Sequence, residues 1–186
     1  MFLKQQDPHR LLVGIVGVKL GDRLLQVGCA HGGRLGAIAS KVGLSGRAVA
    51  VVADEPSAAR ARKGAADAGV LVEIEMAAPA RLAFDPDSFD LVVIDDTGGL
   101  LASLGETDRE GSMREALRVL RPGGRAMIVS GGASAGLFSK LFGGNAPAAT
   151  APTEGQHRLE RAGFKMVRNL AEREGLVFVE GVKPRS

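Results

Sequence analysis

Short apolar runs alternate with longer segments of helical spacing along the greater part of this chain. Runs rich in Val, Ile and Leu predict strands at residues 23–27, 47–53, 70–76, 89–94 and 125–129. Apolar residues three and four apart predict helices over 33–42, 56–68 and 107–120. Because strands that are apolar on both faces need cover on both faces, this alternation predicts an α/β fold with a doubly wound, mainly parallel sheet.

The C-terminal part of the sequence breaks this alternation. A helix is predicted over 157–162, and strand-like runs follow at 164–170 and 176–182. About five residues separate the two runs, which is too few for a crossover helix and enough for a hairpin. The last strand is therefore predicted to lie antiparallel in an otherwise parallel sheet.

Composition limits the classes of protein that fit this pattern. The chain has 186 residues, 45% of them hydrophobic, which suits one domain over residues 1–186. The net charge is +3, Lys and Arg are dispersed, and Trp and Tyr are absent, so there is no clear nucleic-acid signal. No apolar run reaches the roughly 18 residues of a membrane span, and the N-terminus lacks the features of a signal peptide. We therefore expect a cytoplasmic protein with no membrane span.

The cysteine and histidine content argues against metal chemistry. Cys29 is the only cysteine, which excludes an intrachain disulfide and a cysteine-based zinc site. His9, His31 and His157 are scattered without the spacing of metal ligands, so we predict no metal site. A base role for His31 is one interpretation, but a loop residue that contributes only its backbone is favoured.

A glycine-rich turn, QVGCAHGG at residues 26–33, joins the first predicted strand to the first predicted helix. Small residues are needed where such a turn brings the backbone close to a ligand, and the helix N-terminus favours an anionic group. Asp54 ends the second strand, where an acid accepts hydrogen bonds from ribose hydroxyls. A tight turn with no ligand, and Asp54 as a helix N-cap, stay open as plainer interpretations. The turn and the acid together favour a nucleotide cofactor.

That cofactor is either a dinucleotide or S-adenosylmethionine. A dinucleotide fingerprint has the pattern Gly-x-Gly-x-x-Gly, in which the middle glycine admits the pyrophosphate. Here Ala30 takes the middle position between Gly28 and Gly32. The predicted terminal hairpin also disfavours a dehydrogenase topology, so S-adenosylmethionine is the favoured cofactor.

These segments together resemble class I S-adenosylmethionine-dependent methyltransferases, of the methyltransferase type 11 group that includes ubiquinone and menaquinone biosynthesis enzymes. The resemblance runs from about residue 14 to residue 184. The segments that carry it, in order, are RLLQVGCAHGG, AVVADEPSAARARKGAADAG, LAFDPDSFDLVVIDD, REALRVLRPGGRAMIV, and AGFKMVRNL with GLVFVEGVKP. It implies a Rossmann-like, seven-stranded sheet with an antiparallel last strand, and methyl transfer by direct displacement to a small-molecule acceptor.

The resemblance also implies where the cofactor lies. The methionine end would contact the glycine turn, the ribose the end of the second strand, the adenine the end of the third, and the sulfonium the end of the fourth. The residues placed at S-adenosylmethionine in this way are Gly28, Cys29, Ala30, Gly32, Asp54, Glu55, Ala77, Ala78 and Asp95. No catalytic residue is assigned.

Three positions depart from the family pattern. Gln26 stands where an acid is usual, Ala30 replaces the second glycine, and residues 76–78 hold no acid to receive the adenine amino group. Each lost hydrogen bond would weaken binding by about 0.5–1.5 kcal/mol, although Gln26 can still accept one. The departures motivate a second hypothesis, a catalytically degenerate methyltransferase fold that acts as a binding or scaffold protein.

Two further features bear on the acceptor. Asp95 and Asp96 end the fourth strand, where ligands bind in open α/β sheets, so one of them is a candidate general base or acceptor contact. A solvated loop, or capping of residues 97–104, is the alternative. Residues 133–142 (ASAGLFSKLF) form an apolar helix candidate that would be a substrate lid or ordinary core packing.

Overall fold

A seven-stranded sheet with helices on both faces is built from residues 8–131 and 153–185, the residues that this computed structural model describes. In chain order the elements are α1 (Arg10–Val16), β1 (Arg23–Val27), α2 (Gly32–Val42), β2 (Arg47–Val52), α3 (Glu55–Ala68), β3 (Glu73–Met76), β4 (Phe89–Asp96), α4 (Leu100–Ser103), α5 (Glu106–Val119), β5 (Leu120–Gly131), α6 (Glu154–Ala162), β6 (Lys165–Arg173) and β7 (Leu176–Val182).

The strands lie in the order β3-β2-β1-β4-β5-β7-β6, and β7 runs antiparallel to both of its neighbours. The other neighbouring strands are parallel. The predicted α/β fold with an antiparallel last strand is therefore confirmed. Strand order reverses between β1 and β4, and open α/β sheets bind ligands outside the carboxyl ends of the strands at such a switch point.

Alternate residues of the central strands supply two apolar layers. In β4, Val92 and Ile94 face a layer that includes residues of α5 and α6, whereas Leu91 and Val93 face a layer that includes residues of α1 and α2. Successive strand residues point to opposite faces of a sheet. Two consecutive polar residues at the end of β4 must therefore serve different sides of the molecule.

The N-terminal helix and the start of β5 differ from the sequence predictions. No helix is predicted before β1, yet the buried face of α1 fills one apolar layer with Leu12, Val13 and Val16. The helix prediction ends at residue 120 and the next strand prediction begins at residue 125, but β5 already begins at Leu120, which pairs with Phe89. Both features depend on tertiary contacts that short-range patterns do not report.

The strand β3 is shorter than predicted, because it begins at Glu73 and not at residue 70. Residues 70–72 precede β3, and the Val70 N–H donates to the Ala65 carbonyl at 3.0 Å. Gly69 has a left-handed φ of 65° and closes α3 just before them. The apolar residues 70–72 therefore belong partly to the helix stop.

The two helices that follow β1 and β2 touch through glycine. A Cβ on Gly32 would lie 2.0 Å from the Arg60 carbonyl oxygen, and a Cβ on Gly64 would lie 2.0 Å from the Gly32 carbonyl oxygen. One on Gly36 would lie 2.4 Å from the Gly64 oxygen. Only glycine permits this backbone approach, so α2 and α3 are held side by side at the carboxyl edge of the sheet.

A buried carboxylate joins the closing hairpin to the sheet. Glu180 of β7 is 2% exposed and accepts hydrogen bonds from Arg125 at 2.8 Å and from Arg168 at 2.9 Å. Arg125 also donates to the Gly17 carbonyl at 2.8 Å, where α1 ends. Burial alone would raise the pKa of Glu180, but the two guanidinium partners hold it below its usual value.

Within residues 8–131 and 153–185, none of the helices has both the length and the apolar character that crossing a membrane requires.

Candidate functional site

A cleft opens at the point where strand order reverses, between the glycine turn after β1 and the segment after β4. We call it the switch-point cleft, and its volume is about 180 Å³. The described residues that line it are Gly28, Cys29, Ala30, Ala53, Asp54, Ser57, Arg60, Asp95, Gly98, Gly99, Leu100 and Ser103.

The turn after β1 requires glycine at its first position. Gly28 has a φ of 81°, and a Cβ there would lie 2.8 Å from Cδ2 of Leu100 and 3.0 Å from the Asp95 carbonyl oxygen. Its N–H donates to the Val51 carbonyl at 2.8 Å, which fixes the turn to β2. The backbone of the turn therefore passes directly against the segment that follows β4.

Asp95 connects these two segments. It is 5% exposed, and its Oδ2 accepts the Ala30 N–H at 2.9 Å. Its Oδ1 accepts the backbone N–H and the hydroxyl of Thr97, at 3.2 and 2.6 Å. Arg34 donates to the same hydroxyl at 2.8 Å. With both oxygens engaged, Asp95 holds the shape of the cleft.

Asp54 caps α3 and also lines the cleft. Its Oδ1 accepts the Ser57 N–H at 2.8 Å, which confirms the interpretation of this residue as an N-cap. Hydrogen bonds from the Ser57 backbone and side chain lower the pKa of Asp54 below its usual value. The side chain is exposed, so an ionised carboxylate faces the cleft while it caps the helix.

Arg60 is a cleft residue that sequence reasoning missed. Its Nε donates to the Cys29 carbonyl at 2.9 Å, and its Nη2 donates to the Ser57 hydroxyl at 2.8 Å. Asp54, Ser57 and Arg60 are three residues apart, which places them along one face of the first turns of α3. This three-residue spacing from Asp54 is the sequence signal that could have identified Arg60.

The thiol in the turn is not a nucleophile at neutral pH. Cys29 is 3% exposed, and burial raises its pKa to about 11. A neutral thiol neither attacks an electrophile efficiently nor binds metal. Cys29 therefore contributes its backbone carbonyl and its bulk to the cleft.

Gln26 leaves a buried acceptor without a donor. The side chain is 1% exposed, and its Nε2 donates to the Gly28 carbonyl at 3.0 Å. Among the described residues, its Oε1 has no hydrogen-bond partner. Strand alternation places Gln26 on the same face of the sheet as Asp95. An unpaired buried oxygen costs about 1–3 kcal/mol, so a ligand donor would find a favourable partner here.

The remaining predicted cofactor residues are not part of the cleft lining. Gly32 packs against α3, and Glu55 is exposed and pairs with Arg62 at 2.5 Å. Ala77 and Ala78 follow β3, and Ala77 donates its N–H to the β2 residue Val52 at 3.1 Å. The structure thus brings the glycine turn, Asp54 and Asp95 together, and leaves the end of β3 outside the cleft.

None of the three histidines is among the described residues that line the cleft. The His31 ring makes an edge contact with the His9 ring, with centroids 5.4 Å apart. The side chain of His157 is 53% exposed and lies 3.9 Å from Glu160 on α6. The lid candidate at residues 133–142 falls outside the described residues.

A second cavity lies on the other face of β4, next to the closing hairpin. We call it the hairpin-side cavity, and its volume is about 560 Å³. The described residues that line it are Asp96, Leu101, Ala102, Arg109, Ile128, Ser130, Gly131, Thr153, Glu154, Gly155, Arg158, Glu172, Val177 and Val179. The segment after β4 separates the two spaces, with Leu100 facing the cleft and Leu101 facing the cavity.

Asp96 faces this second cavity. Its Oδ1 accepts the Leu101 N–H at 2.7 Å. Burial raises the pKa of Asp96, and the adjacent charge of Asp95 adds to the rise. The hydrogen bond from Leu101 and the nearby Arg158 and Arg109 oppose it. The two consecutive aspartates therefore differ: Asp95 is buried and has both oxygens bonded, whereas Asp96 is half-buried beside a larger cavity and has a hydrogen bond from Leu101 on one oxygen.

Comparisons with known proteins bear on the family and the fold of the chain. A family model described as a methyltransferase domain matches residues 24–124, which is more than half of the chain. The ubiquinone/menaquinone biosynthesis C-methyltransferase UbiE of Idiomarina loihiensis is 27% identical over 122 residues, covering 64% of this chain and 47% of that protein. The chain thus spans about half the length of this curated relative.

Solved structures show the same fold at low sequence identity. A SAM dependent methyltransferase from Aquifex aeolicus superimposes with a TM-score of 0.69 at 19% identity, covering 95% of this chain and 93% of that chain. The [4+2]-cyclase SpnF superimposes with a TM-score of 0.66 at 16% identity, covering 95% and 81%. At these identities the likeness concerns the fold alone, and the two names show that one fold carries different activities.

Proposed function

The chain belongs to the methyltransferase domain family, and on this basis we propose that it binds S-adenosylmethionine in the switch-point cleft and transfers a methyl group to a small-molecule acceptor. The observation that carries the proposal is the position of the cleft. It lies at the topological switch between β1 and β4, with a glycine turn on one side and the ionised Asp54 on the other.

The donor and acceptor groups at the cleft suit this cofactor. The Asp54 carboxylate can accept both ribose hydroxyls. Gln26 does not line the cleft, but its unpaired Oε1 lies on the same face of the sheet as Asp95, and it would accept from the ammonium of the methionine part if the cleft opens to it. Gly28 lets the turn pass close to a ligand without a side chain in the way.

The volume of the cleft is smaller than that of a typical ligand pocket. Ligand pockets run from roughly 300 to 1,000 Å³, compared with about 180 Å³ here. Leu100 packs against Gly28, and Gly99 beside it has a left-handed φ of 76°. We propose that Leu100 moves away from the turn when the cofactor binds, and that the adjacent Gly98-Gly99 pair permits the movement.

The chain's contribution to the reaction is mainly positioning. S-adenosylmethionine would supply the methyl group as a sulfonium substituent that is already activated. Asp95 holds the glycine turn and Thr97 in fixed relation through both of its oxygens. Fixing the reactants in a near-attack geometry is worth several kcal/mol of barrier in such displacements.

Calorimetric titration with S-adenosylmethionine and with S-adenosylhomocysteine tests the proposal. We expect micromolar binding, weakened by roughly 10- to 100-fold in Asp54→Ser, because serine retains the cap but is too short to reach the ribose. Asp67→Ser is the matched control, since Asp67 lies on the same helix, is exposed and pairs only with Lys63 among the described residues. Absence of binding by either ligand at millimolar concentration would contradict the proposal.

The second candidate is a methyltransferase fold that binds a partner without catalysis. The narrow cleft and the lack of an acid at residues 76–78 favour it. The double variant Gln26→Asp with Ala78→Asp restores the acids that the family pattern has. Tighter cofactor binding with new turnover would indicate a degenerate site, whereas unchanged binding would indicate a site that has diverged toward another ligand.

A further inference from the structure

One peptide unit in the glycine turn has both of its polar groups bound by side chains. The Cys29 carbonyl accepts from Nε of Arg60 at 2.9 Å, and the Ala30 N–H donates to Oδ2 of Asp95 at 2.9 Å. The carbonyl and the N–H are the two polar groups of the same planar unit. Because the unit is planar, these two hydrogen bonds together fix its orientation in the turn.

The two side chains reach this peptide from opposite sides of β1. Arg60 belongs to α3, which follows β2, whereas Asp95 belongs to β4, and β1 lies between β2 and β4 in the sheet. The neighbouring backbone groups are held by regular structure, since the Gly28 N–H donates to β2 and the His31 carbonyl accepts from the first turn of α2. The peptide between them therefore owes its orientation to Arg60 and Asp95.

A chain of hydrogen bonds also links Arg60 to Asp54. Nη2 of Arg60 donates to the Ser57 hydroxyl at 2.8 Å, and the Ser57 N–H donates to Oδ1 of Asp54 at 2.8 Å. A planar guanidinium donates in fixed directions, so its two bonds hold their acceptors in a defined relation. Arg60 thereby sets the position of the glycine turn relative to the first turn of α3.

The stability of the fold depends little on these bonds of Arg60. Arg60 is exposed, and substitutions at exposed positions change the free energy of unfolding only slightly. The helix α3 is already capped by Asp54 and packs against α2 through the glycine contact. Arg60 also lines the switch-point cleft. Its two hydrogen bonds therefore serve the cleft more than they serve the fold.

We propose that Arg60 is a positioning residue, which orients the Cys29–Ala30 peptide for the methionine part of the cofactor from the side opposite Asp95. The inference rests on the proposed function above. Without Arg60, the peptide would have to be ordered when the ligand binds, and the cost of that ordering would weaken binding. Arg60 thus controls the affinity for a part of the ligand that it does not itself contact.

Two ligands that share the nucleoside and differ in the amino-acid part separate this role from a general one. They are S-adenosylhomocysteine and adenosine, and calorimetric titration of the full chain measures both dissociation constants. Arg60→Met keeps a long side chain and removes its donors. We expect S-adenosylhomocysteine to bind roughly tenfold more weakly to Arg60→Met, and adenosine to bind less than about twofold more weakly. The preference for S-adenosylhomocysteine over adenosine should therefore fall by about fivefold or more.

Arg62→Met is the matched control. Arg62 lies on the same helix, is exposed, and pairs with Glu55, which is not part of the cleft lining. Both dissociation constants should stay within about twofold of the wild-type values in this variant. Equal losses for the two ligands in Arg60→Met would overturn the proposal, because they would place the effect at the nucleoside or in the fold. Unchanged or tighter binding of S-adenosylhomocysteine would overturn it too.

An NMR measurement tests the orientation of the turn without any ligand. The backbone amide signal of Ala30 should move in Arg60→Met and stay in place in Arg62→Met. An unmoved Ala30 signal in Arg60→Met would contradict the positioning role. If neither ligand binds the wild-type protein at millimolar concentration, the proposed function fails and the role toward the methionine part fails with it. The Ala30 signal then decides separately whether Arg60 orients the turn.

Discussion

Two carboxylates, the buried Glu180 of the closing hairpin and the half-buried Asp96 at the end of β4, differ in how completely they are paired. Glu180 has a guanidinium on each oxygen, and its pKa is held down. Asp96 has one backbone donor on one oxygen, and its pKa is raised. A fully paired carboxylate stabilises the fold, whereas an incompletely paired one retains capacity for a ligand. The difference indicates which of the two carboxylates is structural and which one has capacity left for a ligand.

Removing the paired carboxylate should have the largest effect. Glu180→Ala leaves Arg125 and Arg168 without their shared partner, and we expect a loss of about 3 kcal/mol in the free energy of unfolding. This is the low end for a broken buried pair, because the Arg168 side chain is 66% exposed. Urea denaturation measures it, with the exposed Glu172→Ala as control at about 0.5 kcal/mol or less. A loss below about 1 kcal/mol would remove the contrast with Asp96.

Low pH should reproduce part of this loss of unfolding free energy in the wild-type protein. The folded-state pKa of Glu180 is depressed below the ordinary value of 4.5, so its contribution is present above pH 4.5 and lost as the pH falls through the folded-state pKa. Glu180→Gln should flatten this limb in a plot of unfolding free energy against pH. Identical acid limbs in the two proteins would mean that other carboxylates control acid stability.

Gln26 tests the same contrast at the cofactor side. Gln26→Leu removes the unpaired oxygen but also the donor to the Gly28 carbonyl, so we expect the unfolding free energy to change by less than about 1 kcal/mol. S-adenosylmethionine binding should weaken by roughly tenfold, because its ammonium loses an acceptor. A calorimetric titration that shows unchanged affinity would mean that the orphaned oxygen serves no ligand.

The smallest predicted effect concerns the space at the switch-point cleft. Leu100→Ala removes the side chain that packs against Gly28, and we expect S-adenosylmethionine to bind a few-fold more tightly because less packing has to be displaced. Ala102→Gly, on the opposite side of the same short helix, is the control. Weaker binding in Leu100→Ala would show that Leu100 contacts the ligand instead of excluding it.

Much of the fold could be predicted because its signals are local. The bounds of β1 and β7 are as predicted, since each is an apolar run with clear ends. The antiparallel last strand follows from a connection too short for a crossover, and the turn itself, Glu174-Gly175, is shorter than predicted because β6 extends to Arg173.

The site was only partly predictable because much of it depends on packing. The apolar run that predicted the strand ends at residue 94, immediately before the two aspartates, whereas β4 continues through Asp96. The donors that satisfy Asp95 come from Ala30 and Thr97, and the first of these is remote in sequence. A strand that ends at residue 94 implies no alternation beyond it, so the sequence does not show that the two aspartates face opposite sides of the sheet. Leu100 has no sequence signal at all, because its importance comes from contact with Gly28.

Several expectations stay predictions. They are the single domain over residues 1–186, the cytoplasmic location, and the contacts of Gly28, Cys29, Ala30, Gly32, Asp54, Glu55, Ala77, Ala78 and Asp95 with a cofactor. The titrations above test whether the cofactor binds and whether Asp54 contacts it.

The glycine contact between α2 and α3 has a consequence for how this binding site can change. Since Gly32 and Gly64 touch backbone to backbone, these helices form one stiff block, and a larger ligand cannot be accommodated by spreading them. In a library of random variants, we expect substitutions of Gly32 and Gly64 to be lost under selection and substitutions of Leu100 to be retained. Attempts to make the protein accept bulkier cofactor analogues should therefore begin in the segment after β4, at Leu100. They should leave the glycine contact between α2 and α3 unchanged.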